Sequence, residues 1–364
     1  MSRPLIADID LDALRRNYCL ARDQAPHSRA IAVVKADAYG HGAVACADAL
    51  RDLAPAFAVA CLEEALTLRE AGITQPIVLL EGFFDAAELS LIDAHRLWTA
   101  VHSDWQIDAL LAYRPRQPIP TWLKLDSGMH RLGFAPEAFE ARWQRLAAAT
   151  EHVTDLHLMT HFATADALDA AYFRRQMACI ASLRQRLEAP VCLANSPATL
   201  AWPEAHGDWN RPGVMLYGSD PLEGANDASR ALEPVMTLRS EIIAVRELAE
   251  GEAVGYGGRW RASRPSRIGV VAGGYGDGYD RHARDGTPVL VEGQRVPLAG
   301  KVSMDMLTVD LTELPEAGIG SPVVLWGEGL PIDEVARHCD TISYTLMTGV
   351  LPRVPRRYRN AETG

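Results

Sequence analysis

The sequence lacks most of the features that would set it apart from an ordinary globular chain. No apolar stretch approaches the roughly twenty residues needed to span a bilayer. The N-terminus, MSRPLIADIDLDALRRN, gains charge within a few residues and carries no signal-peptide apolar core. These two absences predict a soluble, cytoplasmic protein with no membrane partner. The six cysteines, Cys19, Cys46, Cys61, Cys179, Cys192 and Cys339, form no CxxC pair and no zinc-type cluster. Several lie in apolar runs, where a free thiol acts as a small hydrophobe, so a reducing compartment is the simple reading. The 11 histidines are scattered without ligand spacing, and no metal is expected. A net basic face is missing too. The formal charge of -11 argues against nucleic acid as a partner, because phosphate binding needs clustered cations. There is no internal repeat and no low-complexity linker.

What is present is a chain of 364 residues, 48% of them hydrophobic, enough for two domains with a sizeable core. Short apolar runs recur along its first part: AIAVVK (30–35), AFAVAC (56–61), PIVLLE (76–81), LWTAVH (97–102), PTWLKLD (120–126), LHLMTH (156–161), VCLAN (191–195) and DWNR (208–211). The last rests on its place in the rhythm more than on composition. Segments such as HGAVACADALRD and LEEALTLREAG lie between them, with helical spacing of apolar residues. Residues 10–23 show the same spacing at Leu11, Leu14 and Tyr18. Eight strands alternating with helices match a (β/α)8 TIM-type barrel. An open doubly wound sheet is the alternative, weakened because no GxGxxG follows the first strand. Near residue 230 the pattern changes to strand-like segments separated by glycine-rich turns. VLVEGQRVPL reads as a hairpin turning at Glu292–Gln294. PIDEVARHC and YTLMTG are the helical suggestions there. The predicted organisation is a barrel domain at 1–230 and a mainly β domain at 231–364.

Lys35 ends the first apolar run and is followed by ADAYGHG. In a barrel this places its amine at the C-terminal mouth, where active sites sit. A lysine against apolar walls loses solvation, its pKa falls, and the neutral amine can form a Schiff base with an aldehyde. The bland reading, a strand-end lysine reaching solvent, is favoured for the lysine alone. Tyr39, Gly40 and Gly42 shift the balance, since the glycines let a ligand approach the backbone. Other polar residues fall at other strand ends: Lys124 and Asp126 with Arg131 just beyond, His161, Asn195 and Ser196, and Arg211. Each alone is more often structural; their joint placement at one mouth is the argument. In RPGVMLYG a proline suits a first helical turn, and the free N–H groups of Gly213 and Val214 would face an anion. Barrels commonly bind phosphate after strands seven and eight, and Ser196 could add a hydroxyl. A plain helix start is the bland alternative.

The motifs AVVKADAYGHG, KLDSGMHRLG, HFATAD, NSPATL, RPGVMLYG, VGYGGRW, GYGDGYDR, VSMDMLTVD and ISYTLM…PRVPRRY, in this order, resemble alanine racemase from end to end, closest to the catabolic, D-amino-acid-operon type. The resemblance implies a barrel followed by a mostly β domain, with pyridoxal 5'-phosphate (PLP) held by Lys35. It implies a phosphate site of Tyr39, Ser196, Gly213, Val214 and Tyr344, and Arg211 facing the pyridine nitrogen. An arginine does not readily give up its proton, so that nitrogen should stay unprotonated, which limits side reactions. Racemisation of L-alanine and D-alanine would use two bases: Lys35 for the D isomer and Tyr256, contributed by a partner subunit, for the L isomer. His161 and Arg131 would assist the tyrosine and the cofactor. Arg131, Met304 and Asp305 would line the substrate-carboxylate side. A head-to-tail homodimer with shared sites follows. Lys124 matches a position often carbamylated in the family; otherwise it would pair with Asp126. Tyr275 and Tyr344 match gate residues. Gly276 stands where alanine is usual, which leaves the strictness of substrate choice open. Alternatives within reach of the same motifs are a racemase of broader range acting on serine, a PLP decarboxylase, a non-catalytic PLP-homeostasis barrel and a Schiff-base barrel enzyme without PLP. Tyr256 in its VGYGG context argues against the decarboxylase, and residues 231–364 against the homeostasis protein.

Overall fold

The computed structural model describes residues 3–167 and 171–360. The chain opens with a strand, β1 (Ile6–Asp10), and runs directly into helix α1 (Leu11–Gln24). Asp10 ends the strand and caps the helix, its carboxylate accepting the N–H groups of Asp12 and Ala13 at 2.9 and 3.0 Å. The stripe of Leu11, Leu14 and Tyr18 seen in the sequence is buried, as helical spacing requires.

Eight parallel strands then close into a barrel: β2 (Arg29–Val33), β3 (Ala56–Val59), β4 (Ile77–Leu79), β5 (Trp98–Val101), β6 (Ile119–Lys124), β7 (Val153–Met159), β8 (Val191–Cys192) and β9 (Trp209–Asn210). The last pairs back onto the first, with Arg29 beside Trp209. All eight runs expected from the sequence are present, DWNR included. They are shorter than the apolar runs, because burial continues past the point where ladder hydrogen bonding stops. The correction matters most at β2, which ends at Val33, so Lys35 follows the strand rather than ending it. Trp98, Trp122, His157 and Trp209 pack together inside the barrel; Trp122 stacks on His157 at 4.5 Å and on Trp98 at 5.9 Å. These rings fill the barrel toward the strand N-termini and leave ligand space at the other end.

Beyond the barrel, a long strand, β10 (Met236–Leu248), organises an antiparallel sheet. It pairs with Ser266–Ala272 along one half and with Pro322–Trp326 along the other. The hairpin predicted around residue 292 joins Pro288–Val291 to Gln294–Pro297. Its two turn residues, Glu292 and Gly293, both have positive φ, the geometry that matches strand twist. The two helical suggestions become Ile332–His338 and Ser343–Thr348.

β1 was not expected from the sequence. It lies in this sheet, antiparallel to β10 and parallel to the final strand Arg356–Arg359. Asp8 in its centre is 1% exposed and is held by Arg239, Arg357 and Arg359 at 2.7 to 3.0 Å. A charge in mid-strand hides the strand from a hydropathy reading, and its partners lie more than 200 residues away. Among the described residues, no helix is long and apolar enough to cross a membrane.

Candidate active site

A cavity of about 600 Å³ opens at the C-terminal end of the barrel strands. Lys35 enters it just after β2. Its amine is pushed below its ordinary pKa by burial, with Arg131 and Arg211 adding to the effect and Glu81 and Glu64 opposing it. The backbone after Lys35 makes a turn of unusual hand. Ala36, Asp37, Ala38 and Tyr39 all have φ of 52° to 53°. Left-handed helical geometry costs a non-glycine residue roughly 1–2 kcal/mol, so the surroundings must over-determine this segment. The turn buries Tyr39 and packs its ring against Tyr217 at 4.8 Å and Tyr344 at 5.9 Å.

The Tyr39 hydroxyl faces Gly213, where a Cβ would stand 2.6 Å from it. The absent side chain therefore keeps a corner of the cavity open. Ser196 Oγ lies in the same corner and accepts the Gly213 N–H at 2.8 Å. Val214 begins a short 3-10 turn, Val214–Tyr217, rather than the longer helix start the sequence suggested. Tyr344 joins from Ser343–Thr348. This corner offers hydroxyl and amide donors without an integral charge.

The opposite wall is cationic. Arg211 is 6% exposed, and its guanidinium donates to the carbonyls of Cys192 at 2.8 Å and Thr160 at 2.6 Å. Carbonyls fix its position without neutralising it. Lys124 donates to Leu80 O at 3.0 Å, and burial, followed by Arg211 and Arg131, pushes its pKa down to about 8. Asp126 is engaged elsewhere, accepting from Gly128, His130 N and the His130 ring. The His161 ring is held well below the usual histidine range by burial and then by Arg211, Arg131, Lys124 and Lys35, so it is neutral. Arg131 lines the cavity and is exposed.

Eleven residues singled out from the sequence thus share one cavity: Lys35, Tyr39, Lys124, Arg131, His161, Asn195, Ser196, Arg211, Gly213, Val214 and Tyr344. Asp126, Tyr256, Tyr275, Met304 and Asp305 do not line it. Tyr256 sits in the turn Tyr256–Gly258 and is 64% exposed; Met304 is 53% exposed. Tyr275, Met304 and Asp305 are brought together by a backbone ladder: Gly273 N to Asp305 O at 2.9 Å, Tyr275 N to Ser303 O at 3.0 Å and Gly276 N to Met304 O at 2.8 Å. Sequence reasoning missed Glu81, a carboxylate in the cavity wall. The strand-end criterion that selected Lys124 applies equally to Glu81, the last residue of PIVLLE. A second signal was passed over. The sequence has three lysines, Lys35, Lys124 and Lys301, and two of them line this cavity.

Comparison with known proteins agrees with this geometry. A family model described as the alanine racemase N-terminal domain matches residues 9–221, and one described as the C-terminal domain matches residues 235–358. An alanine racemase of Pseudomonas fluorescens is 55% identical over 356 residues, covering 98% of this chain and 99% of that protein. A catabolic alanine racemase of Pseudomonas aeruginosa is 54% identical over 359 residues, with 99% and 100% coverage. Among solved structures, the biosynthetic alanine racemase of Pseudomonas aeruginosa superposes with a TM-score of 0.95 at 51% identity, covering 98% of this chain and 100% of that one.

Proposed function

The chain belongs to the alanine racemase family of isomerases, and from that premise we propose that it interconverts L-alanine and D-alanine with PLP held at Lys35 and a two-base proton transfer. The observation that carries this reading is a desolvated lysine facing, across one cavity, a corner of neutral donors and a carbonyl-anchored arginine. The residues fit PLP. The Gly213 cradle, with Tyr39, Ser196, Tyr344 and the Val214 N–H, suits a phosphate. The fixed Arg211 guanidinium suits a pyridine nitrogen that is not to receive a proton.

Bound PLP supplies an electron sink that acidifies the substrate Cα–H. Lys35 Nζ takes or returns the proton on the face of D-alanine. The partner's Tyr256 serves the face of L-alanine through its hydroxyl oxygen. An ordinary tyrosine has a pKa near 10 and needs help to act as a base; the neutral His161 ring can donate its one N–H to the phenolate oxygen, which favours the ionised form. Arg131 orients the cofactor and the substrate carboxylate, with the partner's Met304 and Asp305 on the carboxylate side. Tyr344 and the partner's Tyr275 restrict entry. High exposure of Tyr256 and Met304 within one chain supports delivery to a second copy. The assembly is a head-to-tail cytoplasmic homodimer, its barrel domain at 1–230, apart from β1, which joins the sheet of the mainly β domain at 231–364. Lys124 carries a carbamate that removes its repulsion from Arg131.

A specific observation favours a second reading, broader range. A Cβ at Gly276 would stand 3.0 Å from Met304 Cγ and 2.9 Å from Arg353 Nη2. Glycine leaves room there that alanine would fill, which favours tolerance of serine. Chiral analysis of PLP-supplemented enzyme with L-alanine and L-serine in parallel decides. D-alanine well ahead of D-serine is expected. Comparable rates would move the assignment to the broader racemase. No D isomer from either, despite a bound visible chromophore, would overturn racemisation.

A further inference from the structure

Most hydrogen bonds of the left-handed turn after Lys35 are made within the segment itself. Ala38 N donates to Val34 O and Gly42 N to Asp37 O, each at 2.9 Å, and Ala43 N donates to Asp37 Oδ1 at 2.7 Å. Two side chains from elsewhere hydrogen-bond to its backbone. Arg356 Nε donates to Gly40 O at the far end. At the near end, Glu64 Oε1 accepts the N–H of Ala36 at 2.6 Å, and Oε2 accepts the N–H of Ala60 at 2.7 Å. Ala60 directly follows β3, and Glu64 lies in the first turn of helix Leu62–Glu70.

The Ala36 N–H belongs to the peptide bond that leaves Lys35. Holding that peptide plane fixes ψ of Lys35 and φ of Ala36, and so the direction in which the Lys35 side chain sets out. Both carboxylate oxygens are used, and the second anchors the plane to the neighbouring barrel strand. We propose that Glu64 is a positioning residue for the racemase reaction, aiming Lys35 by tying the Lys35–Ala36 peptide to the end of β3. Glu64 does not line the cavity and touches no substrate. The inference rests on the reading of Lys35 as cofactor lysine and base. A misaimed base loses rate more than binding, since roughly 1 Å of misplacement can cost on the order of 100-fold. Glutamine at this position keeps one acceptor oxygen and turns an N–H donor toward the other N–H, so it retains one of the two ties.

The test uses PLP-loaded Glu64→Ala and Glu64→Gln enzymes beside wild type. Three readouts are taken: kcat and KM per bound cofactor, amide hydrogen exchange of the peptide spanning 35–43, and the lysine carrying the cofactor after borohydride reduction and peptide mapping. With only three lysines in the chain, the mapping is unambiguous. The expected result is a kcat about 10- to 100-fold lower in Glu64→Ala, with KM for alanine within about twofold. Exchange over 35–43 should be faster, and Glu64→Gln should fall between the two. Normal kcat per bound cofactor and unchanged exchange, with only lower yield or melting temperature, would overturn the proposal. Attachment at Lys124 or Lys301 in wild type would overturn the cofactor reading and this inference with it. If Glu64→Ala does not fold, Glu64→Gln decides by the same criteria.

Discussion

Individual side chains carry two titrations that can be measured. Lys124, at a pKa of about 8, is largely neutral in mildly alkaline buffer, and only a neutral amine attacks carbon dioxide. Carbamylation would turn one cation of a crowded wall into an anion beside Arg131. Intact mass in bicarbonate should show one carbamate that is lost on acidification, and stripping carbon dioxide should lower activity several-fold until bicarbonate is restored. An ordinary lysine mass under all conditions would rule it out. His41 concerns stability instead. Its ring is fully buried, and Nδ1 donates to the carbonyls of Ala38 and Tyr39 at 3.0 and 2.9 Å. Burial pushes its pKa down to about 4 from 6.5. Between those values the unfolded chain holds a proton that the folded ring does not, so stability falls as pH drops from 6.5 toward 4. The full effect is about 3 kcal/mol, and His161 shifts in the same direction. Urea midpoints at pH 7 and pH 5 should therefore converge in His41→Asn relative to wild type; an unchanged gap would contradict a neutral buried ring.

At the scale of elements, the lysine-bearing turn is wedged against the second sheet. Gly42 has φ of 96°, and a Cβ there would run into the Tyr358 hydroxyl. Gly42→Ala should cost about 2 kcal/mol or more through both strain and clash. Tyr358→Phe in that background should recover part of it, as read by thermal melting; no recovery would mean that the clash does not contribute. This turn also marks where the sequence stops being readable. Eight apolar runs announce eight barrel strands because parallel strands are buried on both faces. ADAYGHG gives no sign of four left-handed residues, because local preference opposes that geometry and part of what offsets it, from Glu64, Tyr217, Tyr344 and Arg356, lies far along the chain. β1 is concealed for a similar reason, its central Asp8 being satisfied by arginines far along the chain. In the site, Lys35, Lys124, His161 and Arg211 were legible from strand-end position. Glu64 was not, since its work is done through two backbone N–H groups.

For the whole molecule, the charge of -11 contrasts with a cavity wall holding Lys35, Lys124, Arg131 and Arg211 against Glu81. Anionic groups are thus attracted locally by a protein that repels them globally. If each site combines Lys35 of one chain with the partner's Tyr256, two inactive variants should complement. Mixing Lys35→Ala with Tyr256→Phe under conditions that exchange subunits should restore about one quarter of wild-type activity, since half the dimers become mixed and each has one intact site. No recovery, with exchange confirmed by native mass spectrometry, would place both groups in one chain. The sheet has a mechanical consequence as well. β1 and Arg356–Arg359 run parallel, pairing Ala7 with Arg356 through Asp10 with Arg359. Tension applied between the two ends of the chain would pull these neighbours in opposite directions along their own axes. The ladder would be loaded in shear, all its bonds at once, rather than unzipped one by one, and the barrel strung between them would bear no load until that clasp gave way.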